Sequence, residues 1–109
     1  MKTYTICGSM RFEKEMREIA YSLEVCEGYN ILQCVYRSDN MSPTAEERAR
    51  LSHAHYRKID LSDGIYVVNI GGYIGEAAQK EIEYAKALGK EILYHVAEDH
   101  FQHIDECDR

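Results

Sequence analysis

The sequence predicts an α/β protein, a three-layer α/β/α sandwich around a parallel sheet of four to five strands. Three observations favour this fold. β-prone apolar runs alternate with helix-length amphipathic segments, the connections between strands are long enough for crossovers, and one run is apolar throughout, as in a strand covered on both faces. The 109 residues suit one domain. We assign it to residues 1–97 and treat residues 98–109 as an acidic tail.

The first unit predicts a strand, a tight turn and a helix. Residues 3–7 are β-prone and lead into Gly8 and Ser9. Apolar residues then recur every three or four positions from Phe12 to Cys26, which is typical of one buried helical face. Gly28 follows as a signal for the end of the helix.

The second unit predicts a strand at residues 30–35, a polar loop at residues 37–43 and a helix from about residue 45 to residue 59. Thr44 and Glu47 have the spacing of a capping box, in which each side chain binds the other residue's backbone N–H. The start of this helix is therefore well specified.

The third unit contains the clearest strand, at residues 64–70, and we expect it to lie centrally in the sheet. A glycine-containing loop at residues 71–75 leads into a helix at residues 76–88, and a last strand follows at residues 91–96. The loop is neither GxGxxG nor a P-loop, so the predicted fold is flavodoxin-like or Rossmann-like without the dinucleotide fingerprint.

Composition excludes several classes of function. A formal charge of −6 opposes binding to duplex nucleic acid. The apolar runs are too short to span a membrane, and the start of the chain lacks a signal-peptide pattern, so we expect a cytoplasmic protein without a membrane partner. The four cysteines form no CxxC pair and are expected to be reduced. The spacings His53-x-His55 and His100-x-x-His103, the latter near Glu98, Asp99 and Cys107, are loosely similar to metal-binding motifs, but neither HExxH nor paired CxxC is present, so we predict neither a metal nor a cofactor.

Glu81 is an acid on an apolar helical face. Ala78 precedes it by three residues, and Ala85 and Leu88 follow it by four and seven. Because an unpaired buried carboxylate is costly, such a residue is a candidate nucleophile or general base in a cleft. The alternative is a position at the edge of the core, where the carboxylate reaches water or a cation from another element.

His55 is a second polar residue on an apolar stripe, between Leu51 and Ile59. It is a candidate catalytic or ligand-contacting group, and the alternative is a core histidine bonded to the backbone. Asp60, at the end of the same helix, is a further candidate acid, or only a residue of the helix stop.

Ligands of parallel α/β sheets bind beyond the carboxyl ends of the strands. The turn after the first strand offers backbone N–H groups and polar side chains for an anion, although it is also explained as a simple tight turn. The loop after the central strand offers more backbone groups, and its tyrosine could stack on a base. The candidate binding residues are Gly8, Ser9, Met10, Arg11, Asn69, Gly71, Gly72, Tyr73 and Gly75.

Three segments resemble the nucleoside 2-deoxyribosyltransferase-like superfamily, in particular its small bacterial and phage branch. They are CGSMRF at residues 7–12, IDLSD at residues 59–63, and the run from GGYIGE at residues 71–76 through EIEYAKALGK at residues 81–90. The resemblance covers about residues 3 to 96, and residues 71–90 are its most specific part.

The resemblance implies that Glu81 attacks the anomeric carbon of a nucleoside or nucleotide and displaces the base. It implies that Gly8, Ser9 and Arg11 contact the sugar or its 5′-phosphate. Two positions depart from the family pattern: Glu83 replaces a glycine, and the aspartate that assists the leaving base falls near His55.

We therefore expect an enzyme that cleaves or transfers an N-glycosidic bond, with Glu81 as nucleophile, His55 or Asp60 as the acid, and no metal. The rival hypothesis is a module of the same fold that binds or senses a nucleotide without catalysis. A nucleoside or nucleotide is the expected ligand in both cases, and a homo-oligomer is expected because a small sheet leaves apolar and tyrosine-rich surface to cover.

Overall fold

The computed structural model describes residues 1–39 and 41–96. Strands and helices alternate along this part of the chain. The strands are β1 (Thr3–Gly8), β2 (Asn30–Leu32), β3 (Gly64–Val68) and β4 (Glu91–Tyr94). The helices are α1 (Glu13–Glu27), α2 (Ala45–Asp60) and α3 (Glu76–Ala87), and short 3₁₀ turns follow β1 at Met10–Phe12 and β3 at Ile70–Gly72.

The four strands form one parallel sheet in the order β2-β1-β3-β4. Helix α1 covers one face, where Met16 and Leu23 pack with Ile6 of β1. Helices α2 and α3 cover the other face, where Ile59 and Ile82 join a second apolar cluster. The predicted three-layer α/β/α fold of flavodoxin-like and Rossmann-like type is confirmed, with four strands in the described residues.

Strands β2, β3 and β4 are shorter than the sequence predicts, whereas β1 extends one residue further, to Gly8. Strand β2 ends at Leu32 instead of residue 35, because it is an edge strand whose ladder with β1 has only three residue pairs. Beyond it, the Cys34 thiol donates a hydrogen bond to the Ile6 carbonyl at 3.8 Å. Strand β3 ends at Val68, because the chain then turns into the 3₁₀ segment at Ile70–Gly72. Strand β4 ends at Tyr94 instead of residue 96.

Helix α2 begins with the predicted capping box. The Thr44 hydroxyl accepts from the Glu47 backbone N–H at 3.1 Å, and the Glu47 carboxylate accepts from the Thr44 N–H at 3.0 Å. The helix is exposed from Ala45 to Ala54, and only His55 and Ile59 are buried. Its second half therefore makes the contact with the sheet, and His55 is the first residue of that contact.

The sequence predicts four reduced cysteines and no segment that spans a membrane. Cys7 and Cys34 are free thiols, whereas Cys26 is disulfide-bonded, so the expectation of four reduced cysteines is wrong for Cys26. Within residues 1–39 and 41–96, no helix has both the length and the apolar character needed to cross a membrane. The acidic tail at residues 98–109 lies outside the described residues.

Gly64 sits where β3 and β4 approach each other too closely for a side chain, since a Cβ atom there would overlap the Glu91 backbone carbonyl. We expect Gly64→Ala to lower the free energy of unfolding by about 3 kcal/mol or to prevent folding, because the obstacle is rigid backbone. Urea denaturation measures this. Gly28→Asn is the control: Gly28 has a φ of 73° and open space around it, so asparagine should cost less than about 1 kcal/mol. Equal effects of both substitutions would contradict the close approach.

Candidate active site

Three polar side chains from three elements meet on the face of the sheet covered by α2 and α3. They are Cys7 of β1, His55 of α2 and Glu81 of α3. Cys7 Sγ lies 3.6 Å from His55 Nε2, and His55 Nε2 lies 3.8 Å from Glu81 Oε1. The sulfur, ring-nitrogen and carboxylate atoms of the three residues all lie within 4.8 Å of one another. We call these residues the Cys7–His55–Glu81 cluster.

The local structure explains why each side chain points inward. Side chains alternate along a strand, so Ile6 faces α1 and Cys7 faces α2 and α3. His55 lies one turn before the buried Ile59, and Glu81 lies one turn before the buried Ala85. The side chains of His55 and Glu81 are only 9% and 13% exposed. The predicted burial of both side chains is confirmed, whereas Leu51 and Leu88, which the sequence predicts on the same buried faces, are exposed.

Burial dominates the electrostatics of Glu81. It raises the pKa of the carboxyl to about 7, and a hydrogen bond from the Cys7 thiol opposes part of that rise. The nearest nitrogen to the Glu81 carboxylate in the described part of the chain is His55 Nε2, at 3.8 Å. Asp39 and Glu91 behave in the opposite way, since hydrogen bonds from Arg37 and from Tyr4 respectively lower their pKa. Glu81 is thus an acid shielded from water, and no arginine or lysine of residues 1–39 and 41–96 forms an ion pair with it.

His55 and Cys7 are neutral at pH 7. Burial, followed by the Lys58 cation, lowers the pKa of His55 to about 4, and a hydrogen bond to the Ile6 backbone acts against both. Burial, followed by the Glu81 charge, raises the pKa of Cys7 well above its usual value. The cluster therefore contains a thiol, a neutral imidazole and a carboxyl that exists in both forms at neutral pH.

In parallel α/β sheets, the crevice that binds ligands forms at the carboxyl ends of the two strands where the strand order reverses, and in this sheet those strands are β1 and β3. The loops that follow these two strands touch each other. The Arg11 guanidinium lies 4.0 Å from the centre of the Tyr73 ring, and the Phe12 ring meets the same tyrosine edge-on at 6.0 Å. Cys7 is the next-to-last residue of β1, so the cluster lies just inside this crevice.

Glycines allow the loops to come this close. A Cβ atom on Gly8 would lie 3.0 Å from Met16 Sδ and 3.2 Å from the Val68 carbonyl oxygen. Gly71 and Gly72 have φ angles of 65° and 81°, which favour glycine. Ser9 accepts from the Arg11 backbone N–H at 3.3 Å and so caps its own turn, while Met10 is exposed. Gly75 immediately precedes α3, and a Cβ atom on it would lie 3.6 Å from Ser9 Cβ.

Two predicted site residues have structural partners. The Asn69 side-chain amide donates to the Val96 carbonyl at 3.0 Å and accepts from the Val96 N–H at 2.8 Å, so it binds the chain two residues after the end of β4. The Asp60 carboxylate accepts from the Tyr84 hydroxyl at 2.5 Å and lies 3.9 Å from Arg57. Asp60 is not one of the residues that the structure brings together with Glu81.

Sequence analysis missed Cys7 as a site residue. The sequence did contain an indication of this role. Cys7 lies at the carboxyl end of the first predicted strand, and ligands of this fold bind at the carboxyl ends of strands. Cys34 and Tyr36, in the loop after β2, were also missed. Burial, followed by the Glu81 charge, raises the pKa of Cys34 to about 11, and the buried Tyr36 hydroxyl forms no hydrogen bond within residues 1–39 and 41–96.

A separate cavity of about 570 Å³ opens between the outer surfaces of α2 and α3. Glu81 does not line it. Its lining carries charges of both signs and two tyrosines that pack edge-on against each other. The lining residues are His53, Tyr56, Arg57, Asp60, Lys80, Glu83 and Tyr84.

The opposite pKa shifts of Glu81 and His55 predict a measurable pH dependence of stability. The raised pKa of Glu81 favours folding below about pH 4.5, and this contribution is lost as the pH rises through about 7. The lowered pKa of His55 favours folding above about pH 6.5, and this contribution is lost as the pH falls through about 4. The two effects oppose each other between these limits.

Glu81→Gln removes only the first effect. Relative to the unsubstituted protein, its free energy of unfolding should rise by up to about 3 kcal/mol between pH 4.5 and pH 7 in metal-free buffer. Urea denaturation across this range is the measurement. Glu83→Gln replaces an exposed acid of the same helix and is the matched control. A pH-independent difference for Glu81→Gln would contradict the burial of its carboxyl.

Comparison with known proteins adds no identification. The chain matches no protein-family model and no curated protein. The similarity to the nucleoside 2-deoxyribosyltransferase-like superfamily therefore remains an expectation, and the geometry of the site carries the functional proposal.

Proposed function

We propose that this protein is an enzyme acting on the N-glycosidic bond of a nucleoside or nucleotide, with Glu81 as the nucleophile. The observation that carries the proposal is the position of Glu81, a shielded carboxylate just inside the crevice where β1 and β3 end. A carboxylate held in this way is suited to attack a carbon that becomes positively charged as the base departs.

The proposed reaction has two displacement steps. In the first, Glu81 forms an ester bond to the anomeric carbon, and the carbon–nitrogen bond breaks with its electron pair leaving on the base. In the second, water or a second base attacks the same carbon and releases Glu81. Water makes the protein a hydrolase, whereas a second base makes it a transferase.

His55 is assigned a supporting role beside the nucleophile. Its Nε2 lies 3.8 Å from Glu81 Oε1, so it can hold the carboxylate in one orientation or hydrogen-bond to the departing base. A histidine with a pKa of about 4 carries no readily released proton at pH 7. The departing base then takes its proton from water. Asp60, the other candidate acid, is engaged by Tyr84.

The two loops above the cluster are suited to bind the rest of the substrate. Gly8, Ser9 and Arg11 are assigned to the sugar or its 5′-phosphate, and Tyr73 to stacking on the base. Arg11 is exposed and rests on the Tyr73 ring. A phosphate can therefore attract the guanidinium without breaking a buried ion pair.

The second candidate function is a nucleotide-binding or sensing module without catalysis. One observation favours it: among residues 1–39 and 41–96, the side chains clustered with Glu81 include no charged proton donor. A homo-oligomer also remains part of the proposal, because large apolar side chains such as Val35, Met41 and Leu61 are more than half exposed.

The first prediction concerns the nucleophile. The protein should release free base from at least one member of a panel of ribonucleosides, deoxynucleosides, their 5′-monophosphates and NAD, with or without an added acceptor base. Glu81→Gln should reduce that rate by at least about 10⁴-fold, as expected for loss of a nucleophile, while Glu83→Gln should retain it. Chromatography detects the base.

A protein that binds a member of the panel but releases no base would establish the sensing module instead. Base release that survives in Glu81→Gln would refute the assignment of the nucleophile.

The second prediction concerns Arg11. Arg11→Ala should raise KM for a 5′-phosphorylated substrate by about 10-fold, since a charge-assisted hydrogen bond to phosphate is lost, and leave KM for the matching nucleoside nearly unchanged. Steady-state kinetics with both substrates measure the difference. Lys14→Ala removes an exposed cation from the start of α1 and is the control. Equal changes in Arg11→Ala for both substrates would show that Arg11 does not bind the phosphate.

A further inference from the structure

The Cys7–His55–Glu81 cluster brings a sulfur, a ring nitrogen and a carboxylate oxygen together inside the protein. We propose that these three residues bind a zinc ion, and that the bound ion occupies the carboxylate of Glu81 and thereby regulates the site. The binding itself stands on the geometry alone, whereas the regulatory consequence rests on the proposed function.

The distances fit a tetrahedral zinc site. With a Zn–S bond of about 2.3 Å and a Zn–N bond of about 2.0–2.1 Å, two ligands at a tetrahedral angle lie about 3.6 Å apart. Cys7 Sγ and His55 Nε2 lie 3.6 Å apart. A nitrogen and an oxygen ligand should lie about 3.4 Å apart, and the observed distance to Glu81 Oε1 is 3.8 Å. Zinc binding therefore requires the Glu81 carboxylate to move closer to His55, and the three ligand atoms already lie within 4.8 Å of one another.

The donor set also fits this ion. Zinc binds cysteine sulfur, histidine nitrogen and carboxylate oxygen, and a site with three protein ligands leaves a fourth position for water or another molecule. A thiolate and a carboxylate together carry the two negative charges that balance Zn²⁺, and the imidazole is neutral. A buried ion with balanced charge avoids the desolvation penalty of an unpaired buried charge.

The three ligands are held by separate, well-packed elements. Cys7 belongs to a central strand, His55 lies one turn from the buried Ile59, and Glu81 adjoins the buried Ile82. This framework orients the ligand atoms before the ion arrives. Of the two helix side chains, Glu81 is the more accessible, with 13% of its side chain exposed against 9% for His55.

Zinc binding has a defined chemical cost for the proposed reaction. As the sulfur–zinc bond forms, the thiol proton of Cys7 passes to solvent. As the oxygen–zinc bond forms, the electron pair with which Glu81 would attack the sugar is shared with the metal. The zinc-bound protein is therefore expected to be inactive toward the N-glycosidic bond, and removal of the ion restores the nucleophile.

The test is zinc affinity, measured on the untagged full chain by competition with a chromophoric chelator. Cys7→Ser, His55→Gln and Glu81→Gln should each weaken binding by about 100-fold or more, since loss of a ligand costs more than the 10–100-fold typical of outer-shell partners. The matched controls replace the same residue types outside the cluster and should change affinity by less than about 3-fold. They are Cys34→Ser, His53→Gln and Glu83→Gln.

Cobalt gives a second readout that does not depend on activity. Co²⁺ bound to a thiolate shows a sulfur-to-metal charge-transfer absorption. The unsubstituted protein and Cys34→Ser should show this band, and Cys7→Ser should lack it while keeping its circular dichroism spectrum. If Cys7→Ser does not fold, loss of zinc affinity in Glu81→Gln and its retention in Glu83→Gln provide the same test.

Zinc affinity that is equal in the cluster variants and their controls would overturn the proposal, as would a cobalt band that persists in Cys7→Ser. Failure of the proposed function has a different signature. A protein that binds zinc through these residues yet releases no base from any substrate supports the metal site and rejects the N-glycosidic reaction. A protein that releases base but does not bind zinc through these residues supports the N-glycosidic reaction and rejects the metal site.

Discussion

The pairing of β1 with β3 is the constraint on which the rest of the structure depends. These neighbouring parallel strands share the longest ladder of the sheet, with five residue pairs from Tyr4 and Gly64 to Gly8 and Val68. Because the chain leaves β1 toward one edge and returns to β3 on its other side, their carboxyl ends form a crevice. The ladder fixes Cys7 at the base of this crevice and brings the two following loops into contact.

Burial gives the cluster its chemical character. The same loss of water raises the pKa of Glu81 and lowers the pKa of His55, because burial disfavours whichever form is charged. A cationic histidine would have stabilised the carboxylate in a simple ion pair. The protein holds instead two neutral groups next to an acid that ionises near neutral pH. This arrangement keeps the carboxylate available for a substrate or an ion.

One carboxylate then serves two proposed purposes that exclude each other. As a nucleophile, Glu81 needs a free electron pair directed at the sugar. As a zinc ligand, it shares that pair with the metal. Cys7 distinguishes the two uses, since its sulfur has no role in the displacement but is a strong zinc ligand. The position of a thiol beside the carboxylate is thus what makes control by a metal physically reasonable.

Features that depend only on neighbours along the chain could be predicted from the amino-acid order. The helical stripes placed Glu81 and His55 on buried faces, the capping box fixed the start of α2, and the apolar run of β3 placed it centrally in the sheet. Local spacing is sufficient for these, because helix and strand periods relate residues only a few positions apart.

Which of these residues meet depends on how the helices pack against the sheet. Cys7 and His55 are 48 positions apart, and no local period links a strand residue to a particular residue of a distant helix. The same holds for Asp60. The helix pattern alone does not show whether it is a catalytic acid or a structural residue, and the packing of α3 against α2 shows that it accepts a hydrogen bond from Tyr84. Strand ends were also decided at this level, because a strand stops where its partner stops. The composition of the cluster is therefore a property of the packing of α2 and α3 against β1.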